Sequence, residues 1–163
     1  MKVQNMLLQK MIEYYSGDPK RIQHFIKVHS FAKMIGELEG LNSNTQDILE
    51  IAAIVHDIGI KTAEIKYGNC NGKLQEQEGP AIAKEMLMKL SIDANIIDRV
   101  CYLIGHHHTY DNIDGIDYQI LVEADFLVNM YEDGLKKETI ESAYHKIFRT
   151  TSGSQLCKII FSI

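Results

Sequence analysis

The feature that most constrains this chain is an apolar run that ends in two polar residues. Leu49, Ile51, Ala52, Ala53, Ile54 and Val55 lead into His56-Asp57, and Gly59 follows. Apolar side chains on every side of a helix mark a buried element rather than a surface one. An imidazole and a carboxylate at the end of such an element are costly to bury unless something pairs with them. A divalent cation pairs with both. The expectation is a scaffold that brings further ligands to His56 and Asp57.

The remaining periodicity is helical, and no segment alternates long enough to make a strand. Residues 3–15 carry Met6, Leu7, Met11, Ile12 and Tyr15 at helical spacing. Asp18-Pro19 reads as an N-cap with proline at the first helical position, opening a helix that runs to about residue 39 before Gly40. A third helix is expected from residues 42–44 to 57. Gly59, Gly68, Asn69, Asn71 and Gly72 mark residues 59–75 as a long loop, of the kind that is functional when ordered. Further helices are expected over 78–90, 93–106, 117–131 and 136–148, with a polar turn at 109–115. Residues 156–163 are apolar enough to pack back, as helix or as extended chain. The fold expected is all-α, a bundle of about six to seven helices. At 163 residues the chain suits one domain, 1–163, with its core over about 18–131.

Six of the seven histidines lie between residues 24 and 108. On the second helix, His24 falls roughly 40° from the centre of the apolar face formed by Phe25, Val28, Phe31, Ala32 and Ile35. His29 falls roughly 100° away, on the flank. Asp125 sits among Leu121, Val122, Ala124, Phe126, Leu127 and Val128, where a lone charge needs a cation or an ion pair. Arg21, Arg99 and Arg149 are the arginines that could supply the ion pair. Two imidazoles and two carboxylates (His24, His56, Asp57, Asp125) make a mixed nitrogen and oxygen set. Such a set suits Mn, Fe, Ni, Co, Zn or Mg better than calcium. Four ligands on an ion that accepts six leave positions for water and a substrate oxygen, the minimum equipment for phosphoester hydrolysis. Of three consecutive histidines, not all can face one site. His107 is the first choice for a phosphate contact or second-metal ligand, His106 the next, and His108 is expected solvated at a helix end. Glu123, two residues before Asp125, is expected to point outward. Met86, Met88 and Met130 are read as core filler.

Composition narrows the partners. A net charge of -5 argues against a nucleic-acid polymer. Three scattered cysteines, Cys70, Cys101 and Cys157, make no disulfide framework and no Cys-x-x-Cys pair, which fits a reducing cytoplasm. Lys10 and Glu13 interrupt the N-terminal apolar residues, so neither a signal peptide nor a membrane span is expected.

His24 with Val28, the apolar run into His56-Asp57, and Ala124-Asp125 together resemble the HD superfamily of metal-dependent phosphohydrolases. The resemblance covers about residues 18–131. It implies an all-α fold, metal ligands His24, His56, Asp57 and Asp125, and hydrolysis of phosphate esters or anhydrides, often of nucleotides. Some branches bind two metals. In one that is similar in layout and hydrolyses diadenosine tetraphosphate, further histidines occupy the positions of Gln75 and His107. The glutamine departs from that pattern, with Glu76 or Glu78 as substitutes. Many members carry lysine where this chain has Ile60, and Lys61 follows. The resemblance implies catalytic roles for Asp57, His107 and Lys61, one divalent ion or two, and a small phosphorylated, nucleotide-like substrate. It also leaves room for a homodimer. The alternative is a metal- and nucleotide-binding sensor without turnover.

Overall fold

Capping side chains set five of the helix N-termini. The computed structural model describes residues 3–163, and among them the chain forms nine α-helices and no strand. The helices are α1 (Val3–Tyr14), α2 (Pro19–Leu38), α3 (Ser43–Val55), α4 (Ile60–Tyr67), α5 (Gly72–Lys89), α6 (Ala94–Ile104), α7 (Ile116–Glu132), α8 (Lys137–Ile147) and α9 (Thr151–Phe161). Asp18, Asn42, Asn71, Asp93 and Thr150 each accept a backbone N–H from the first turn that follows them. No described helix is long and apolar enough to cross a membrane.

Two expectations change here. Residues 59–75 are not a long loop. Gly68 ends α4 in the left-handed conformation, at φ 71°, with its N–H on the Glu64 carbonyl. Asn71 then caps α5, so the turn-forming residues are helix stops and starts around a short link. The C-terminal segment is helix α9, which begins before its apolar residues do. Pro80 lies inside α5.

α3 is the central element. Every residue from Ile48 to Val55 is buried, and α3 packs against α1, α2, α6 and α7. α2 lies between α3 and α7, and α5 packs on α6 and α4. Gly59 lets the chain turn beneath α5. A Cβ there would lie 2.7 Å from the Gln75 carbonyl oxygen and 2.8 Å from the Gly79 nitrogen. α1 braces the same turn: the Tyr15 hydroxyl donates to the Asp57 carbonyl at 2.7 Å and the Tyr14 hydroxyl to that of Ile58 at 3.3 Å.

Glu123 corrects a further expectation. It is fully buried, because α8 and α9 cover the face of α7 opposite Asp125. Its carboxylate accepts the backbone N–H groups of Arg149 (2.6 Å) and Thr150 (2.9 Å), the Thr150 hydroxyl (2.5 Å) and the Gln119 amide (2.8 Å). The charge is held by donors, and these fasten the α8–α9 junction to α7. Glu123→Ala leaves those donors unpaired and is expected to lower unfolding free energy by about 3 kcal/mol. Urea denaturation measures the loss, and amide exchange around residues 148–153 should speed up. Unchanged stability would show that the carboxylate fastens nothing.

Candidate metal centre

Four side chains from three elements meet at one end of α3. His24 comes from α2, His56 and Asp57 from the turn that ends α3, and Asp125 from the middle of α7. His24 Nε2 lies 3.2 Å from His56 Nε2, 3.3 Å from Asp57 Oδ2 and 3.2 Å from Asp125 Oδ1. His56 Nε2 lies 3.3 Å from Asp57 Oδ2 and 3.5 Å from Asp125 Oδ1.

The other ring nitrogens fix what these atoms carry. His56 Nδ1 donates to the Ala53 carbonyl at 2.8 Å, and His24 Nδ1 donates to Glu132 Oε2 at 3.1 Å. Neutral imidazoles bonded in this way present bare lone pairs at Nε2. Two lone pairs and two carboxylate oxygens therefore face one another. Such an arrangement stands only around protons or a cation. Ligands about 2.1 Å from an ion sit roughly 3.0–3.4 Å apart, and the separations of each imidazole Nε2 from the other and from the two carboxylates run from 3.2 to 3.5 Å. Carboxylate backing of a ligand histidine, as Glu132 gives His24, is a recurring feature of metal sites. His24, His56 and Asp57 offer three ligand atoms that fit a divalent metal ion, and Asp125 Oδ1 lies against both imidazoles.

No guanidinium takes the cation's place. Arg21 binds Asp18 and Glu64, Arg99 binds Asp114 and Asp117, and Arg149 donates to main-chain carbonyls. Burial alone would lower the His24 and His56 pKa values. The charges of Asp57 and Asp125, and the hydrogen bond with Asp125, outweigh it and raise both. Burial would likewise raise both carboxyl pKa values, but the neighbouring imidazoles hold them well below the usual carboxylate range.

A second group adjoins the first through Asp57. Asp57, His107 and His108 can offer three ligand atoms close together. His107 Nδ1 donates to the Ile104 carbonyl at 2.7 Å. Its Nε2 is buried without a hydrogen-bond partner, 3.5 Å from Asp57 Oδ1. His108 is half-buried and hydrogen-bonded rather than freely solvated at a helix end, contrary to expectation. α6 stops at Ile104, so residues 105–108 form a turn and the helical wheel does not apply. The turn puts His108 Nε2 on Gln75 Oε1 at 2.9 Å, while Gln75 Nε2 donates to the Cys70 carbonyl at 2.6 Å. Burial and the neighbouring His107 push the His108 pKa down to about 4.

The other candidates lie elsewhere. Lys61, on the outer face of α4, donates to the Tyr14 carbonyl at 3.1 Å and sits over the Tyr14 ring. His106 stacks on Tyr102 and donates to its carbonyl at 2.7 Å. Glu76 accepts the His108 backbone N–H and the Thr109 hydroxyl, each at 2.9 Å. Glu78 is at the surface with Lys66 and Tyr67. His29 pairs with Glu50 at 3.1 Å, away from the four ligands. Sequence reasoning missed Asn129, which donates to Asp125 Oδ1 at 2.9 Å, and Glu132. Their spacing, four and seven residues after Asp125, is the signal that could have found them. Three of the four, His24, Asp57 and Asp125, line a cavity of about 270 Å³ whose wall also includes Lys20, Gln75, His108 and Asp133, while His56 is buried behind them.

The family model of the HD domain matches residues 21–146. The chain belongs to the HD domain family. No curated protein matches the sequence. The HD fold seen here is similar to the crystal structure of a predicted HD superfamily hydrolase from an uncultured Thermotogales bacterium. The TM-score is 0.71 at 21% identity, over 97% of this chain and 84% of that one. At that identity the likeness is one of fold.

Because the HD-site imidazoles hold protons more tightly than usual, an incoming ion must displace them. Raised imidazole pKa values also mean that the metal-free fold is favoured at low pH and loses that contribution as pH rises through them. Manganese affinity should therefore fall as pH is lowered from about 8 to 6, with proton release on binding. Calorimetry in buffers of different ionisation heat reads both, and an affinity independent of pH would contradict the assignment.

Proposed function

We propose that this protein is a metal-dependent hydrolase that cleaves a phosphate ester or anhydride in a small, nucleotide-like compound. The observation that carries the reading is the cluster of His24, His56, Asp57 and Asp125 donor atoms, three of whose residues line a cavity. HD family membership and the likeness to a chain described as a predicted hydrolase support it. In this reading His24, His56, Asp57 and Asp125 hold a divalent ion from the series Mn, Fe, Ni, Co, Zn and Mg. When bound, the ion supplies positive charge for a phosphoryl oxygen and acidifies a water.

The chain's own groups do the rest. Asp57 Oδ2 faces the ion position and Oδ1 faces His107, so one carboxylate links the ligand set to a free imidazole nitrogen. Asp57 orients the attacking water. His107 Nε2, an acceptor in the neutral ring, takes the water's proton and returns it to the leaving oxygen. The same nitrogen, with Asp57 and His108, is the position for a second ion. The Gln75 amide oxygen competes for His108 there.

The test is phosphate release from a panel of nucleotides and sugar phosphates with each metal, using the His56→Ala, Asp57→Ala double variant as the control. His107→Ala should lower kcat by about 10²–10⁴ while the first ion stays bound. Tight nucleotide binding with no turnover under any metal would replace the enzyme with a sensor.

A further inference from the structure

We propose that the substrate carries a single phosphoryl group on a compact polar leaving group, and that the site does not read a nucleobase. This rests on the hydrolase reading above and narrows its substrate. Three features of the cavity argue for it.

The first is size. A cavity of about 270 Å³ falls below the ~300–1,000 Å³ of pockets that enclose a drug-sized ligand, and the ion with its water must share it. The second is charge. Five acidic side chains line the cavity against two basic ones, and Lys27 pairs with Glu132 from outside the lining at 2.7 Å, so one divalent ion already brings the wall to balance. Of the two cations, Arg21 is committed to Asp18 and Glu64. Lys20, in the first turn of α2, has no carboxylate within ion-pair distance among the described residues. One free lysine and one ion match one phosphate. A polyphosphate would set further negative charge against Asp133 with no cation beyond Lys20 to meet it. The third is surface chemistry. No Phe, Tyr or Trp lines the cavity. Its two imidazoles lie against other rings, His24 with its centroid 5.3 Å from that of His56 and His108 with its centroid 4.0 Å from that of His107. A base therefore finds no free stacking platform. The wall offers hydroxyl or amine partners instead, through Gln75, Asn129 and Asp133.

In the reaction the water oxygen forms a new bond to phosphorus as the ester P–O bond breaks. The leaving oxygen keeps that electron pair and gains a proton, giving an alcohol and inorganic phosphate. The experiment compares ribose 5-phosphate, adenosine 5'-monophosphate and adenosine 5'-triphosphate at a fixed free manganese concentration. Ribose 5-phosphate should equal or exceed adenosine 5'-monophosphate in kcat/KM, because the cavity suits the smaller leaving group and no stacking surface rewards the base. Both should exceed the triphosphate by about a hundredfold, the penalty of uncompensated charge. Lys20→Ala, checked for folding by circular dichroism, should raise KM for both monophosphates several-fold and leave kcat near wild type. A preference for the adenine compound, or faster release from the triphosphate, overturns this inference and leaves the hydrolase reading standing. An unchanged KM in Lys20→Ala overturns it as well. No phosphate from any of the three overturns both.

Discussion

Two imidazole nitrogens 3.2 Å apart, each with its other nitrogen committed as a donor, are the constraint on which this fold turns. Left alone they repel one another and the two carboxylate oxygens beside them. In the absence of an ion, protons fill the gap, which is why both imidazoles hold them so firmly. A cation replaces those protons and satisfies four acceptors at once. Few other occupants of a buried position do this without leaving a charge unpaired.

The rest of the bundle keeps those atoms in place. The last part of α3, Ile51–Val55, is apolar all round because it is surrounded, and its end delivers His56 and Asp57 as a unit. Tyr14 and Tyr15 hold the main chain of the turn from one side. Gly59 allows α5 to close over it, which brings Gln75 to the wall of the cavity. α7 is buried on two opposite faces, with Asp125 toward the ligand set and Glu123 toward the α8–α9 junction. That second face anchors the C-terminal helices without any positively charged partner, through main-chain and side-chain donors.

Much of this was legible in the residues. Hydrophobic periodicity placed α1, α2, α3, α6, α7 and α8, and the costly positions of His56, Asp57 and Asp125 marked the places where a cation was needed. What escaped had local physical causes. Gly68 and Asn71 have the chemistry of a loop and the function of caps, so α4 was hidden between them. Glu123 was judged by its angle from Asp125, and one wheel cannot show that both faces of a helix are covered. His108 was judged as helical although the helix ends at Ile104. Lys61 was linked to the site by its position after Asp57, but α4 turns it outward to Tyr14. In each case the missing information was what packs on the element from a distant part of the chain.

Anomalous diffraction from crystals grown with manganese tests the central claim most directly. The account predicts a strong anomalous peak bonded to His24 Nε2, His56 Nε2, Asp57 and Asp125 Oδ1, at about the 2.0–2.3 Å expected of a divalent ion on nitrogen and oxygen ligands. The four side chains should hold the arrangement described here, and the peak should vanish in Asp125→Ala. A map with no peak there, and His24 and His56 bridged by a proton or a water at full manganese concentration, would contradict it.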